Sequence, residues 1–154
     1  YDGDWVGNMR HGKGTEKWAD GRIYNGEFIS DAKEGFGEFS FPDGSSYTGH
    51  FSQNDFNGYG ILYKMGKYEY SGSFLQGKKH GKGKINYENG DYYEGEFYKG
   101  KRHGKGLFYW SNDENTYEGE WFNDQPHGMG FFTQKGKAKS KALFQEGKRT
   151  VMLE

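Results

Sequence analysis

The sequence has no cysteine. This excludes disulfides and thiolate-held metal centres and fits a reducing compartment. Branched aliphatic residues are scarce: Leu, Ile and Val together number 11 of 154. A conventional two-layer sandwich, whose facing sheets are built from such residues, is therefore not expected. No apolar run approaches the ~18 residues of a membrane-spanning helix. There is no Asn-x-Ser/Thr acceptor, and nothing at Tyr1 resembles a signal peptide. The chain begins in mid-pattern and without a Met, so it is expected to be a piece of a longer protein. Formal net charge is −1, and without a basic excess no nucleic-acid partner is expected.

What the chain does have is rings and glycine: 13 Tyr, 13 Phe, 4 Trp and 27 Gly. Glycine costs about 1 kcal/mol against Ala at a helical position, so a helical fold is disfavoured. Disordered chains are poor in aromatics, so this one is expected to fold and to bury rings.

These residues recur with a period. The run Tyr-x-Gly-x-(Trp/Phe) starts at Tyr1, Tyr24, Tyr47, Tyr70, Tyr93 and Tyr117, at spacings of 23, 23, 23, 23 and 24 residues. Each copy then carries a Gly-x-Gly pair, at Gly12/Gly14, Gly35/Gly37, Gly58/Gly60, Gly81/Gly83, Gly104/Gly106 and Gly128/Gly130. His11, His80, His103 and His127 precede four of the pairs, with Glu34 and Asn57 in the other two places. Asp20-Gly21, Asp43-Gly44 and Asn89-Gly90 supply turn signals between copies. A degenerate seventh copy spans 140–154, with Ser140, Ala142 and Phe144 in the Tyr, Gly and Trp/Phe places. Period-two alternation around Tyr93-Gly95-Phe97 and Gly104-Gly106-Phe108 reads as two short strands per copy. The Gly100-Lys101-Arg102 segment is expected to be the loop between them. Successive hairpins then pair into a single-layer antiparallel meander of about thirteen strands, one array over 1–154. Glycines on the aromatic face leave slots where a ring lies against the backbone.

The repeat resembles the MORN (membrane occupation and recognition nexus) family, and the resemblance covers essentially the whole chain. It implies an elongated, twisted or curved all-β array with a groove lined by the repeated Tyr and Trp/Phe. At this sequence's positions the groove is Tyr24, Phe28, Tyr47, Phe51, Tyr70, Phe74, Tyr93, Phe97, Tyr117 and Trp121, with Tyr1 and Trp5 at the N-terminal end.

Signs of catalysis are missing. Gly7-x-x-x-x-Gly12-Lys13 looks like a phosphate loop, but Gly14 follows where Ser or Thr would ligate Mg²⁺. Equivalent His residues stand two strand spacings apart, about 9–10 Å, too far to share a zinc. They are expected to cap turns. Glu94, Glu96, Glu118 and Glu120 fall on the non-aromatic face, where charges are usually solvated. No catalytic constellation, metal site or cofactor is expected.

Basic residues cluster in two adjacent copies: Lys78, Lys79, Lys82 and Lys84, then Lys101, Arg102 and Lys105. These predict a solvated turn edge or, as the sharper alternative, a site for anionic lipid head groups; the family's name suggests the second, and Asp31, Glu34, Asp55 and Asn57, which replace the basic pattern in copies two and three, oppose it. The main expectation is a non-catalytic scaffold that binds a partner peptide or helix along the aromatic groove. The resemblance makes a cytoplasmic setting in a cytoskeletal or ciliary assembly plausible. The alternatives are a membrane- or phosphoinositide-associating module, and the regulatory region of a larger enzyme such as a lipid kinase or a methyltransferase. Unpaired edge strands also allow homo-oligomers, unless Val151-Met152-Leu153 serves as a cap.

Overall fold

A computed structural model describes the backbone of residues 1–153 and the side chains of residues 1–150. The described residues hold fourteen strands and no helix. In chain order these are β1 (Asp2–Val6), β2 (Met9–Lys17), β3 (Ile23–Ile29), β4 (Ala32–Ser40), β5 (Ser46–Ser52), β6 (Asp55–Lys64) and β7 (Tyr68–Leu75). They continue as β8 (Lys78–Tyr87), β9 (Tyr92–Tyr98), β10 (Lys101–Trp110), β11 (Asn115–Phe122), β12 (Gln125–Thr133), β13 (Ser140–Gln145) and β14 (Lys148–Leu153). Sheet order is sequence order, an open antiparallel meander. The chain forms two compact units, residues 1–78 and 79–154.

There is one strand more than the sequence predicted, because the degenerate seventh copy still makes a hairpin. Its β13 pairs with β12, setting Ala142 opposite Gly130 and Phe144 opposite Gly128. Ala142 is small enough to keep the glycine's place, and both it and Phe144 are buried. The capping role expected of Val151-Met152-Leu153 falls outside the described side chains.

The loop within each copy is shorter than predicted. Lys99 and Gly100 form it alone, with φ of 48° and 86°, and Lys101 and Arg102 already belong to β10. Positive φ at both central residues marks the two-residue turns that match strand twist. Ser30-Asp31, Gln53-Asn54 and Asn123-Asp124 adopt it without glycine. Each such turn docks on the preceding copy: the amides of Asp31, Asn54, Gly100 and Asp124 donate to the carbonyls of Arg10, Lys33, Lys79 and Arg102 at 2.8–3.1 Å. That contact offsets the cost of left-handed backbone at residues with a Cβ.

The core of each unit is one motif repeated. Gly26 stands directly across from Gly37, and the Tyr24 ring lies over both. A Cβ on Gly26 would come within 2.6 Å of the Tyr24 hydroxyl, and one on Gly37 within 2.5 Å of its ring. The hydroxyl then donates to the Glu27 carbonyl at 2.7 Å. The same bond, from each tyrosine to the carbonyl three residues on, recurs at Tyr1, Tyr47, Tyr70, Tyr93 and Tyr117 at 2.7–2.9 Å. A buried polar group without a partner is costly; this bond lets a tyrosine be buried whole.

Rings then join neighbouring copies. In the first unit Phe28 stands edge-on to both Tyr1 and Tyr24, Phe51 to Tyr24 and Tyr47, and Phe74 to Tyr47 and Tyr70, at 5.0–5.3 Å. In the second unit Trp121 does the same between Tyr93 and Tyr117 at 5.2 and 5.6 Å, and Phe144 continues from Tyr117 at 4.7 Å. Each such pair contributes about 0.5–1.5 kcal/mol beyond area burial. We expect Gly37→Ala to destabilise the chain by about 1–3 kcal/mol in urea unfolding, since the ring above it has no room to give. Gly77→Ala, where an added Cβ meets nothing within 4 Å, should cost only the backbone strain of about 1–2 kcal/mol.

Candidate functional site

The ten rings expected to line a groove are among the most buried of the described side chains. The five tyrosines are 0 % exposed, and Phe28, Phe51, Phe74, Phe97 and Trp121 are 1–5 % exposed. Their position is the folding core, and a second row of side chains covers them. Arg10 lies over Tyr1 and Phe28 while its guanidinium bonds Asp31 and Glu16. The Lys33 ammonium sits over Trp18, Tyr24 and Phe39 at 5.3–5.9 Å, and burial lowers its pKa. Arg102 covers Tyr93, Phe108 and Trp121, and Phe56 replaces the cation by stacking on Tyr47 at 3.8 Å. Sequence reasoning missed this row. Its signal was present, because Arg10, Lys33, Phe56, Lys79 and Arg102 recur every 23 residues, one place before the His, Glu or Asn.

The basic residues expected to meet lipid head groups do not form one patch. Arg102 is turned onto the rings, and its backbone and guanidinium both donate to Asp124. Lys79 holds the same repeat position and is half-buried. Lys82 and Lys84 lie on the other face, across from Glu96 and Glu94, and Lys105 lies across from Glu120. Lys78 and Lys101 are exposed at turns.

Glu34, Asn57 and His80, each one residue before a Gly-x-Gly pair, serve the turns as acceptors of backbone N–H, whereas the buried His103 Nδ1 has no hydrogen-bond partner among the described residues. Glu34 accepts from the Gln53 amide at 2.7 Å, and His80 Nδ1 from Lys99 at 3.5 Å. In the second unit these histidines alternate with aromatic rings: His80, Tyr98, His103, Phe122 and His127, each 5.2–5.7 Å from the next. Tyr98 and Phe122 are 48 % and 51 % exposed there. Glu96, expected to be merely solvated, and Glu27 at the equivalent place accept the amides of Lys105 and Phe36 at 2.5 and 2.6 Å. They clasp the bulge at Gly35 and Gly104, where φ is 66° and 79°.

The open surface is the face across from the tyrosines. In the second unit a concavity of about 630 Å³ has Leu107, Met129 and Phe131 on its floor, with Glu94, Glu118, Glu120, Lys105, Lys139 and Lys141 around them. Met129 and Phe131 are 45 % and 39 % exposed. The backbone of Gly106, Gly119 and Gly130 lines it as well, their missing side-chain positions lying on the side of the Tyr93 and Tyr117 rings. The Lys139 ammonium bonds Glu118 at 3.0 Å and lies over Phe131. In the first unit a smaller hollow lies on the corresponding face, beside Phe36, Lys13 and Glu38. Among the described residues no three His, Asp or Glu side chains converge as a metal site.

A sheet built of identical hairpins, each useless alone and joined by rings to the next, defines a tandem β-hairpin repeat protein. The MORN repeat model matches residues 1–21, 24–46, 47–68, 70–92, 93–114 and 117–136, so the chain belongs to the MORN-repeat family, whose repeats mediate interactions with proteins and membranes. The seventh hairpin lies beyond the last matched repeat. Comparison with curated proteins gives no match.

Burial pushes Tyr47 and Tyr117 up to about 12 from an ordinary 10.0, and raises Tyr24, Tyr70 and Tyr93 by the same cause. An unfolded tyrosine releases its proton as pH passes 10, whereas the folded one keeps it. Stability is therefore complete below pH 10 and is lost as pH rises to about 12, at about 1.4 kcal/mol per pH unit per tyrosine. Phenolate absorbance and circular dichroism should change together in that window.

Proposed function

We propose that the chain is a non-catalytic scaffold that holds a peptide or helix of a protein partner on the open face of the second unit. The observation that carries this reading is the floor of half-buried Leu107 and exposed Met129 and Phe131, with charges of both signs around it. An amphipathic segment laid there would bury its apolar side on the floor and meet glutamates and lysines with its polar side. The groove of repeated Tyr and Trp/Phe first expected as the site supports this surface from beneath. A cytoplasmic setting in a cytoskeletal or ciliary assembly fits such a scaffold, as does a regulatory role beside a catalytic domain such as a lipid kinase. Regular repetition of side chains supplies no unique converging constellation, and the reading includes no enzymatic step and no cofactor.

A second reading has one observation in its favour. Tyr98 and Phe122 project half-exposed beside Lys99 and Lys101 at the turn edge of the second unit. Amphipathic rings beside lysines suit the interface of an anionic membrane.

Met129→Ser combined with Phe131→Ser should reduce capture of the partner at least about tenfold, a loss of roughly 1.4 kcal/mol, with circular dichroism unchanged. Undiminished capture by the folded double variant would refute the first reading. Flotation with phosphatidylserine vesicles that is salt-sensitive and lost in Tyr98→Ser/Phe122→Ser would favour the second.

A further inference from the structure

The copies differ most on the face away from the tyrosines. The place after each repeated tyrosine holds Asp2, Asn25, Thr48, Ser71, Glu94 and Glu118 in turn. The place after each Gly-x-Gly pair holds Thr15, Glu38, Ile61, Lys84, Leu107 and Phe131. Only the sixth copy sets a ring at the second place against a carboxylate at the first, with Phe131 directly across from Glu118. Glu118 also stands opposite Leu107, and Leu107 opposite Glu94, so carboxylates flank the apolar floor of the concavity. Glu94 and Glu120 have no ion pair among the described residues.

The carboxylate and ring of the sixth copy already hold a cation, and it is the chain's own. Lys139, in the segment between β12 and β13, sets its ammonium 3.0 Å from Glu118 and 4.9 Å from the centre of the Phe131 ring. That segment is anchored elsewhere: the Lys135 ammonium bonds Glu114 at 2.6 Å, and the Lys135 amide donates to Asn115 at 3.3 Å. Rotation of the Lys139 side chain alone is therefore enough to vacate the place. The Lys139 and Glu118 side chains are 55 % and 59 % exposed, and an ion pair so open to water holds weakly. An ammonium is a point charge. A guanidinium is planar, stacks on a ring face and bonds both oxygens of a carboxylate. We infer that the peptide held on this face carries an arginine that displaces Lys139, its guanidinium lying on Phe131 and bonded to Glu118, while apolar neighbours cover Leu107 and Met129. The inference rests on the reading of this face as a peptide-binding surface. Lys141 stands opposite Phe131 on its other side and repels a cation, which confines the guanidinium to the Glu118 side. Glu94, across Leu107, is placed for a second basic residue. Lys139 then acts in selection: a peptide without the guanidinium finds Glu118 already paired and gains nothing there.

The test is selection of a phage-displayed library of random dodecapeptides on the chain, followed by titration of isotope-labelled chain with the synthetic winners. Peptides that shift the Met129 methyl and Phe131 ring resonances should carry an arginine beside apolar residues. Replacing that arginine by lysine should weaken binding about fivefold, through loss of stacking and of the two-pronged bond. Glu118→Gln should weaken the arginine peptide at least about tenfold and erase its advantage over a glutamine version. Lys139→Ala should tighten it about two- to fivefold, because the competing ion pair is gone. Peptides that lose binding to Met129→Ser/Phe131→Ser yet carry no arginine, or that Glu118→Gln leaves unchanged, would overturn the inference while the peptide-binding reading stands. Weaker binding to Lys139→Ala would overturn the displacement, since Lys139 would then touch the peptide itself. Recovery of no peptide that depends on Met129 and Phe131 would overturn both.

Discussion

Everything in this fold depends on a tyrosine being able to lie flat on the backbone. Two glycines, one from each strand of a hairpin, face each other and leave the sheet bare. The ring settles into that gap and its hydroxyl finds a carbonyl three residues along its own strand. A single sheet can then have a core without a second layer. Because the ring is fixed on one side by its own hairpin, its edge is free to receive the Phe or Trp of the next.

The opposite face is shaped by the residues beside the glycines. Their side chains alternate to the other side of the sheet, so Leu107, Met129 and Phe131 stand around the backbone of Gly106, Gly119 and Gly130 in the concavity. The cations over the rings add a further layer: Arg10, Lys33 and Arg102 close the aromatic side, so surface available to a partner lies elsewhere.

Much of the fold was legible because its signals are local and repeated. Tyr24-x-Gly26-x-Phe28 and its copies announce strand, slot and ring together, and Asp20-Gly21 marks a reversal that the structure makes with φ of 97°. The turn at Lys99-Gly100 was harder to read, because its left-handed residues are held by a hydrogen bond to the preceding copy and not by local propensity. The site was less legible for a related reason. A sequence says that a ring recurs but not what lies over it, and Arg102 reads as a solvent cation until its neighbours Trp121 and Phe108 are placed. Glu96 likewise looks like surface charge until the bulge it clasps is seen.

The short reach of each tyrosine has an evolutionary consequence. Within each unit, the ring contacts and turn-docking bonds of the described residues join a copy to its neighbour and go no further. Duplicating or deleting a whole copy would therefore leave every remaining contact with a partner of the right kind. A change of a single residue is tolerated only where the slot and ring are not displaced, and the one extra residue of the fifth copy lies in the turn between Trp110 and Asn115. Such a gene can change length in whole steps, growing or shrinking its binding surface without inventing a new core.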